Sequence, residues 1–137
     1  MTALGGHLDW GIKASLLDYV RGMGDGTVEA AEGAEATETG LRFPRAIGLA
    51  FRGSVTLTAH GGMMRVTIAD PSIVETSAGW AIEIADPDDP SRRMAFATIA
   101  AFDGTRASGT ALTQDGADLF FGPYERGTAL DDPSVVD

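Results

Sequence analysis

Cysteine is absent from this sequence of 137 residues, and its absence removes several classes of chemistry at once. Without thiols the chain can form no disulfide, no thiolate nucleophile, no cysteine-ligated zinc site and no iron–sulfur cluster. Histidine is nearly as scarce, since only His7 and His60 occur. Two histidines are too few for a multi-histidine metal centre. Chemistry built on cysteine thiols or on several imidazoles is therefore excluded.

Positive charge is also in short supply. Lysine occurs once, as Lys13, and the acidic residues outnumber the basic ones so far that the formal net charge is −10. Such a chain repels the phosphate backbone of nucleic acids and the surface of anionic membranes. We therefore expect no nucleic acid and no membrane among its partners.

Long apolar runs and sorting signals are missing as well. No stretch reaches the roughly 18 apolar residues that a membrane-spanning helix needs. The opening residues, Met1 to His7, have neither the basic region nor the apolar region of a signal peptide. The sequence as written predicts a cytoplasmic protein, although a trimmed secreted or surface protein would present the same features.

The chain does contain enough apolar material for one core. Hydrophobic residues make up 44% and charged residues 22% of the sequence, which is ordinary for a globular protein. The length suits one domain, and no repeat or composition shift marks a boundary. We predict a single domain over residues 1–137 with its core at about 8–131.

Hydrophobic periodicity predicts an α+β fold, with one N-terminal helix before a mainly antiparallel β-sheet body. Apolar residues recur every fourth position from Leu8 to Val20, which predicts a helix over 8–21. Residues 27–40 are compatible with a loop, a helix or a weak β-hairpin. From residue 41 the period becomes two. This pattern predicts strands at 49–60, 64–68, 73–76, 80–85, 94–101 and 109–113, a short helical turn over 115–121 and a loose tail at 131–133.

Standard catalytic motifs are missing from the sequence. There is no Walker A motif, no dinucleotide-binding glycine motif after a strand, no HExxH, no nucleophile elbow and no EF-hand loop. The glycine-rich segment 22–26 follows a helix instead of opening one, so a linker is favoured over a phosphate loop. Prolines accompany the aspartates, which favours solvated turns over a calcium site at Asp70, Asp86, Asp88 and Asp89.

Three polar aromatic residues remain as candidates, and each has an ordinary structural interpretation. Tyr19 fits the edge of a helix packed on the core, with its hydroxyl at the surface. His60 ends a predicted strand on its polar face, directly before a Gly-Gly turn, where an exposed histidine is the simpler interpretation. Tyr124 fits an aromatic residue that packs on the β body. Periodicity and spacing alone lead only to a β-rich domain.

Three short motifs follow one another in a fixed order along the chain. The first is LDWGIKAS at 8–15, with Tyr19 four residues later. The second is FRGSVTLTAHGG at 51–62, followed by VTIADP at 66–71. The third is LTQDGA at 112–117, followed by FFGPYERGTALD at 120–131. Together the motifs resemble the conserved domain of the HtaA family, the haem-uptake proteins of actinobacteria.

The resemblance implies a bound cofactor, ferric haem (Fe(III) protoporphyrin IX). In the family a helix tyrosine coordinates the iron, a strand-end histidine hydrogen-bonds that tyrosine, and a late tyrosine contributes to the site. Matched motif by motif, these residues are Tyr19, His60 and Tyr124. The aromatic residues that we expect to line the cofactor site are Phe51, Phe120 and Phe121.

A tyrosine ligand suits this cofactor chemically. Phenol has a reference pKa of about 10 and is a poor ligand while it is neutral. Iron(III) is a hard Lewis acid that favours the phenolate, and a neighbouring imidazole can hold or accept the departing proton. An anionic oxygen ligand stabilises ferric over ferrous iron, which suits capture and storage more than oxygen carriage.

Three functions stay open. The preferred one is haem transport, transfer or storage by a protein that is not an enzyme, with haem donor or acceptor proteins and a second copy of the chain as candidate partners. The alternative is a haem-dependent peroxidase or haem-degrading enzyme, for which only His60 could act as a base near neutral pH. The third is a structural or interaction module that does not bind haem. Candidates for binding the haem propionates are Arg21, Arg52 and Arg126.

Overall fold

The computed structural model describes residues 5–38, 40–120, 122 and 124–137. Its two α-helices are α1 (Ala14–Gly22) and α2 (Gln114–Asp118), and both are too short to cross a membrane. A 3₁₀ turn occupies His60–Gly62. The strands of the described residues, in chain order, are β1 (His7–Asp9), β2 (Thr27–Ala31), β3 (Glu35–Ala36), β4 (Leu41–Ile47), β5 (Ala50–Phe51), β6 (Ser54–Ala59), β7 (Met64–Ala69), β8 (Ser72–Thr76), β9 (Gly79–Ala85), β10 (Arg93–Ile99), β11 (Ala101–Phe102), β12 (Ala107–Ser108), β13 (Ala111–Leu112) and β14 (Ser134–Val136).

These strands form an antiparallel body, which confirms the predicted fold class. The main sheet has the order β13-β10-β9-β8-β5-β4-β1-β14, with β3 paired to β4. A second sheet has the order β2-β6-β7, and β11 pairs with β12. The buried apolar side chains form one continuous cluster to which both sheets and both helices contribute. The short helix α2 stands where the sequence predicts a helical turn.

The predicted helix over 8–21 is correct only in its second half. Residues 7–9 form β1, which pairs with β4 on one side and with β14 on the other. Ile12 then adopts a positive φ of 59°, and α1 begins only after Lys13. The four-residue spacing from Leu8 misled the prediction because Leu8 is buried on the inward face of a strand and not on a helix face.

The central β segment keeps its predicted alternation but is divided in two. Val55, Leu57 and Ala59 point inward and are fully buried. The division falls at Gly53, whose φ is 112° and whose α-carbon packs so closely on Ala34 that a Cβ would lie 2.7 Å from it. The predicted turn at 61–62 is confirmed, since it joins β6 to β7.

The chain end is ordered, so the prediction of a loose tail at 131–133 is wrong. The carbonyl of Asp131 accepts a hydrogen bond from Trp10 Nε1 (2.8 Å), and the carboxylate of Asp132 accepts one from the Thr110 N–H (3.0 Å). Strand β14 then completes the main sheet beside β1. The first contact joins residues 121 positions apart, and the second joins residues 22 positions apart. Local composition could therefore not predict them.

Segment 27–40 also has regular structure where the sequence left its state open. Strand β2 pairs with β6 and β3 pairs with β4, so the two strands belong to different sheets instead of forming a hairpin with one another.

The aspartates of the turn at 86–91 cap the backbone, as the sequence predicts. Asp86 accepts a hydrogen bond from the Asp88 N–H, and Asp89 accepts one from the Ser91 N–H.

Candidate functional site

A cavity of about 490 Å³ opens between α1, the turn that joins β6 to β7, and the segment after α2. Its size lies within the range of small-molecule binding pockets. The wall is mainly apolar and carries two phenols and one imidazole. The residues that line it are Leu16, Tyr19, His60, Met63, Met64, Phe120 and Tyr124.

Two other cavities lack this combination of an apolar wall with aromatic polar groups. One of about 220 Å³ lies against β1 and the chain end, where Asp9, Asp131 and Asp132 contribute to its wall. Another, of about 530 Å³, lies beside β10 and α2 and includes Asp115 and Arg126. Neither is lined by tyrosine or histidine. The cavity at Tyr19 is therefore the better candidate site.

Helix α1 positions Tyr19 at the mouth of the cavity. The helix buries Leu16, Leu17 and Val20 against the core. Tyr19 follows Leu16 by three positions, so it lies on the flank of that buried face and leans toward solvent. Its side chain stays 51% exposed. This exposure leaves the phenol oxygen accessible to a ligand that enters the cavity.

The turn after β6 brings His60 to the same oxygen. His60 Nε2 lies 2.9 Å from the Tyr19 hydroxyl oxygen, and the two ring centroids are 5.8 Å apart. His60, Gly61 and Gly62 all have positive φ values, of 55°, 64° and 91°. Histidine tolerates this backbone region better than most residues with a side chain. The left-handed turn therefore aims an imidazole where a regular strand would have continued.

The pair of side chains can hold one proton in either of two arrangements. A neutral phenol donates its O–H to an unprotonated Nε2, and a phenolate accepts a hydrogen bond from Nε2–H. The imidazole can therefore stabilise the anionic oxygen without leaving its place. This is the chemistry that an oxygen ligand for a hard metal ion requires.

Tyr124 lines the same cavity from the segment after α2, in a different electrostatic setting. Burial raises the pKa of the Tyr124 hydroxyl above its usual 10.0, and the nearby Tyr19 raises it further when that phenol is charged. The ring of Tyr124 packs edge-on against Phe120, with centroids 5.1 Å apart. Tyr124 therefore keeps its proton at neutral pH and can donate a hydrogen bond into the cavity.

The structure brings together most, but not all, of the residues predicted for the site. Tyr19, His60, Tyr124 and Phe120 line the same cavity. Phe51 does not line it, because its side chain is 2% exposed within the core and its ring faces the Arg45 guanidinium at 5.7 Å. Phe51 thus serves the core, and its position does not support the predicted cofactor contact. Phe121 lies outside the described residues.

The arginines predicted to bind propionates are not found on the cavity wall. Arg52 donates a hydrogen bond to the carbonyl of Arg45, in the neighbourhood of β5. Arg126 lines the separate cavity beside α2. Arg21 is exposed in the last turn of α1. None of the three is among the residues that line the Tyr19 cavity in the described part of the chain.

Several residues of the site escaped the sequence analysis. Met63 is 84% exposed and Met64 only 8%, although the two are neighbours on the cavity wall. Asp25 accepts a 2.6 Å hydrogen bond from the Gly61 N–H and so contacts the turn that carries His60. A methionine pair directly after the Gly-Gly turn was a usable signal for the wall. The contact of Asp25 depends on the fold, and no signal in the sequence indicated it.

Comparison with known proteins identifies a family. Residues 5–136 match the model of the HtaA domain family, described as Htaa. Among solved structures, the chain is similar to the N-terminal domain of HtaA from Corynebacterium glutamicum, with 22% identity, a TM-score of 0.72 and coverage of 98% of this chain and 97% of the other. The C-terminal domain of the same protein is 24% identical, with a TM-score of 0.66 and 97% coverage of both chains.

A third solved structure is a domain-swapped dimer of a histidine-to-alanine variant of that C-terminal domain. It is 23% identical to this chain, with a TM-score of 0.58 and coverage of 100% of this chain and 96% of the other. At these identities the structural likeness establishes the shared fold. Among curated proteins, none matches the chain.

Proposed function

Because this chain belongs to the HtaA family, we propose that it binds ferric haem through the Tyr19 oxygen and serves haem transport, transfer or storage. One observation carries the proposal. The exposed Tyr19 phenol shares a 2.9 Å hydrogen bond with His60 at the mouth of an apolar cavity. An oxygen ligand, a base beside it and an apolar wall together suit a ferric porphyrin held by a tyrosine.

The residues of the cavity fit this cofactor in their chemistry. The wall offers apolar surface from Leu16, Met64 and Phe120 to the face of a porphyrin. The phenol oxygen is a hard donor of the kind that iron(III) favours. When bound, haem would supply a ferric iron that the Tyr19 oxygen could ligate. The proposed function therefore does not depend on a metal ion held by several protein side chains.

Each polar residue of the cavity has a distinct task under this proposal. Tyr19 offers its oxygen as the ligand, and His60 holds the phenol proton or stabilises the anion that remains. Tyr124 stays neutral and can donate a hydrogen bond into the cavity. Since His60 is engaged with Tyr19, it is not available as a base for peroxide chemistry, which favours binding without catalysis over a peroxidase or haem-degrading enzyme.

The proposal extends to the partners. A haem carrier exchanges its cofactor with donor or acceptor proteins, and the open mouth at Tyr19 suits such exchange. A second copy of the chain is also a candidate partner, since a histidine-to-alanine variant of one similar domain has been solved as a domain-swapped dimer. Light scattering with and without hemin tests whether this chain dimerises and whether the cofactor changes its oligomeric state.

The test is an absorbance titration of the purified protein with hemin. We expect the parent to bind hemin with the spectrum of a ferric tyrosinate. Both Tyr19→Ala and Tyr19→Phe should lose that spectrum and weaken binding by about a hundredfold, equivalent to roughly 2.7 kcal/mol. The phenylalanine variant keeps the ring, so its loss would isolate the role of the oxygen.

Two further variants complete the titration. His60→Ala should weaken binding less than the Tyr19 variants and shift the absorption bands, because the oxygen remains but its hydrogen bond is lost. Arg52→Ala is the control, since Arg52 contacts Arg45 and not the cavity. If Tyr19→Phe and His60→Ala both bind hemin like the parent, the proposed ligand assignment is wrong. If the parent itself does not bind, the proposed function is wrong.

A further inference from the structure

Tyr19 and His60 belong to separate elements, and a third residue links those elements beside the site. Tyr19 lies on α1, whereas His60 lies in the turn between β6 and β7. The loop after α1 reaches across to that turn and places the carboxylate of Asp25 on the Gly61 N–H at 2.6 Å. Gly61 directly follows His60, so the contact acts on the backbone that orients the imidazole.

The loop that carries Asp25 is itself held tightly against α1. Gly26 approaches the helix so closely that a Cβ there would lie 1.9 Å from the Val20 carbonyl oxygen. The Gly26 N–H also donates a hydrogen bond to the Met23 carbonyl (3.2 Å). Glycine at this position therefore allows the chain to double back on the helix, and it fixes the direction in which Asp25 projects.

These contacts form a closed circuit of residues that begins and ends at Tyr19, the candidate ligand of the iron. Tyr19 adjoins Val20 along α1, and Val20 packs on Gly26. Asp25 precedes Gly26 and binds the Gly61 N–H, whose neighbour His60 returns to the Tyr19 oxygen. A negatively charged acceptor makes the backbone hydrogen bond stronger than a neutral one would. This circuit of contacts explains how two exposed side chains on different elements keep the Tyr19 oxygen 2.9 Å from His60 Nε2.

We infer that Asp25 is a positioning residue for haem, acting through a clasp formed by its carboxylate and the Gly61 N–H. This inference rests on the proposed function, since the clasp matters to haem only if Tyr19 and His60 bind it. The clasp holds the turn so that Nε2 stays on the phenol oxygen. Without it the turn at 60–62 gains freedom, and the oxygen loses its steady hydrogen-bond partner.

The experiment compares Asp25→Ala and Asp25→Asn with the control Asp18→Ala. Asp18 is an exposed aspartate on α1, so its removal changes the net charge equally beside the site without touching the turn. In the protein without haem, NMR reports amide hydrogen exchange at Gly61 and the chemical shifts of the His60 ring nitrogens. In the protein with haem, stopped-flow absorbance reports the rate at which hemin leaves.

We expect Asp25→Ala to speed Gly61 exchange about tenfold, as for the loss of a hydrogen bond to a charged group. The His60 nitrogen shifts should move, and hemin should leave about three- to tenfold faster. Asp25→Asn keeps an acceptor oxygen and should give an intermediate result, while Asp18→Ala should match the parent. Thermal unfolding should show all three variants folded, because both aspartates are exposed.

The inference is overturned if Asp25→Ala leaves Gly61 exchange and the His60 shifts unchanged, or if Asp18→Ala alters them equally. It is also overturned if the turn loosens in Asp25→Ala while hemin leaves at the parent rate. The readouts without haem decide the clasp, and the hemin titration of the parent decides the proposed function. Failure of one is therefore distinguishable from failure of the other.

Discussion

The two ends of the β6–β7 hairpin use the same local device for different purposes. At one end the Gly53 N–H donates to the Asp70 carboxylate (3.1 Å), and Asp70 has a positive φ of 49°. At the other end the Gly61 N–H donates to the Asp25 carboxylate, and His60 has a positive φ of 55°. Each end thus pairs a glycine amide with an aspartate carboxylate, and each has a residue other than glycine with a positive φ.

The surroundings of the two ends differ. The Gly53 end is packed against Ala34, and its carboxylate comes from Asp70, directly after the hairpin. The Gly61 end faces solvent, and its carboxylate comes from another element. A closed end with internal contacts stabilises the fold, whereas an open end held from outside leaves side chains exposed for a ligand. The candidate site lies where packing is incomplete.

The largest expected effect concerns the closed end. Gly53→Ala places a methyl group 2.7 Å from Ala34 in a backbone region that side chains disfavour. Overpacking and left-handed strain together should lower the free energy of unfolding by about 3 kcal/mol. Gly62→Ala at the open end meets no atom within 4 Å and should cost only about 1 kcal/mol. Urea unfolding measures both, and equal losses would contradict the contrast between the two ends.

A smaller effect is expected at the exposed wall of the cavity. Met63 is 84% exposed beside Tyr19, so replacing it should change ligand contacts more than stability. Met63→Gln should weaken hemin binding about fivefold, equivalent to roughly 1 kcal/mol, because a polar amide replaces apolar surface. Met63→Leu should bind like the parent. Ile47→Gln is the control, as Ile47 is 72% exposed away from the cavity, and a loss there equal to that of Met63→Gln would contradict the assignment.

The smallest effect concerns Tyr124 and alkaline pH. Burial raises the pKa of Tyr124 above 10.0 in the folded protein, so the neutral phenol stabilises the fold. That contribution is complete below about pH 10, the unfolded value, and is lost as the pH rises through the higher folded value. The Tyr124→Phe variant has no phenol to titrate at this position. Its free energy of unfolding should therefore fall less than that of the parent as the pH rises from about 9 to 11. Thermal unfolding across this range checks the difference, and identical pH profiles would show that Tyr124 does not contribute.

Local pattern was sufficient for much of the fold. The alternation of Val55, Leu57 and Ala59 predicted β6, and the paired glycines at 61–62 predicted its turn. Both predictions hold because strand period and turn chemistry are properties of neighbouring residues. The helix start failed for the opposite reason. Leu8 lies between β4 and β14, and a pairing partner far along the chain leaves no trace in a short window.

The residues of the candidate site also differ in whether the sequence alone could assign them. Family motifs pointed to Tyr19, His60 and Tyr124, and the structure places the three around one cavity. Phe51 shares the same strand pattern as the buried residues of β6, and only the packing shows that it faces Arg45 inside the protein. Met63 differs from Met64 by 76 percentage points of exposure, from 84% and 8%, a contrast that composition cannot supply.

Taken alone, the sequence determined the residue types available for chemistry and the short-range geometry of strands and turns. It excluded thiol chemistry, left two phenols and two imidazoles, and placed a glycine pair after His60. The tertiary structure decided which of these groups meet, because distances such as Tyr19 to His60 and Asp25 to Gly61 arise only when separate elements pack. Side-chain exposure was decided there too, since it depends on neighbours from every part of the chain.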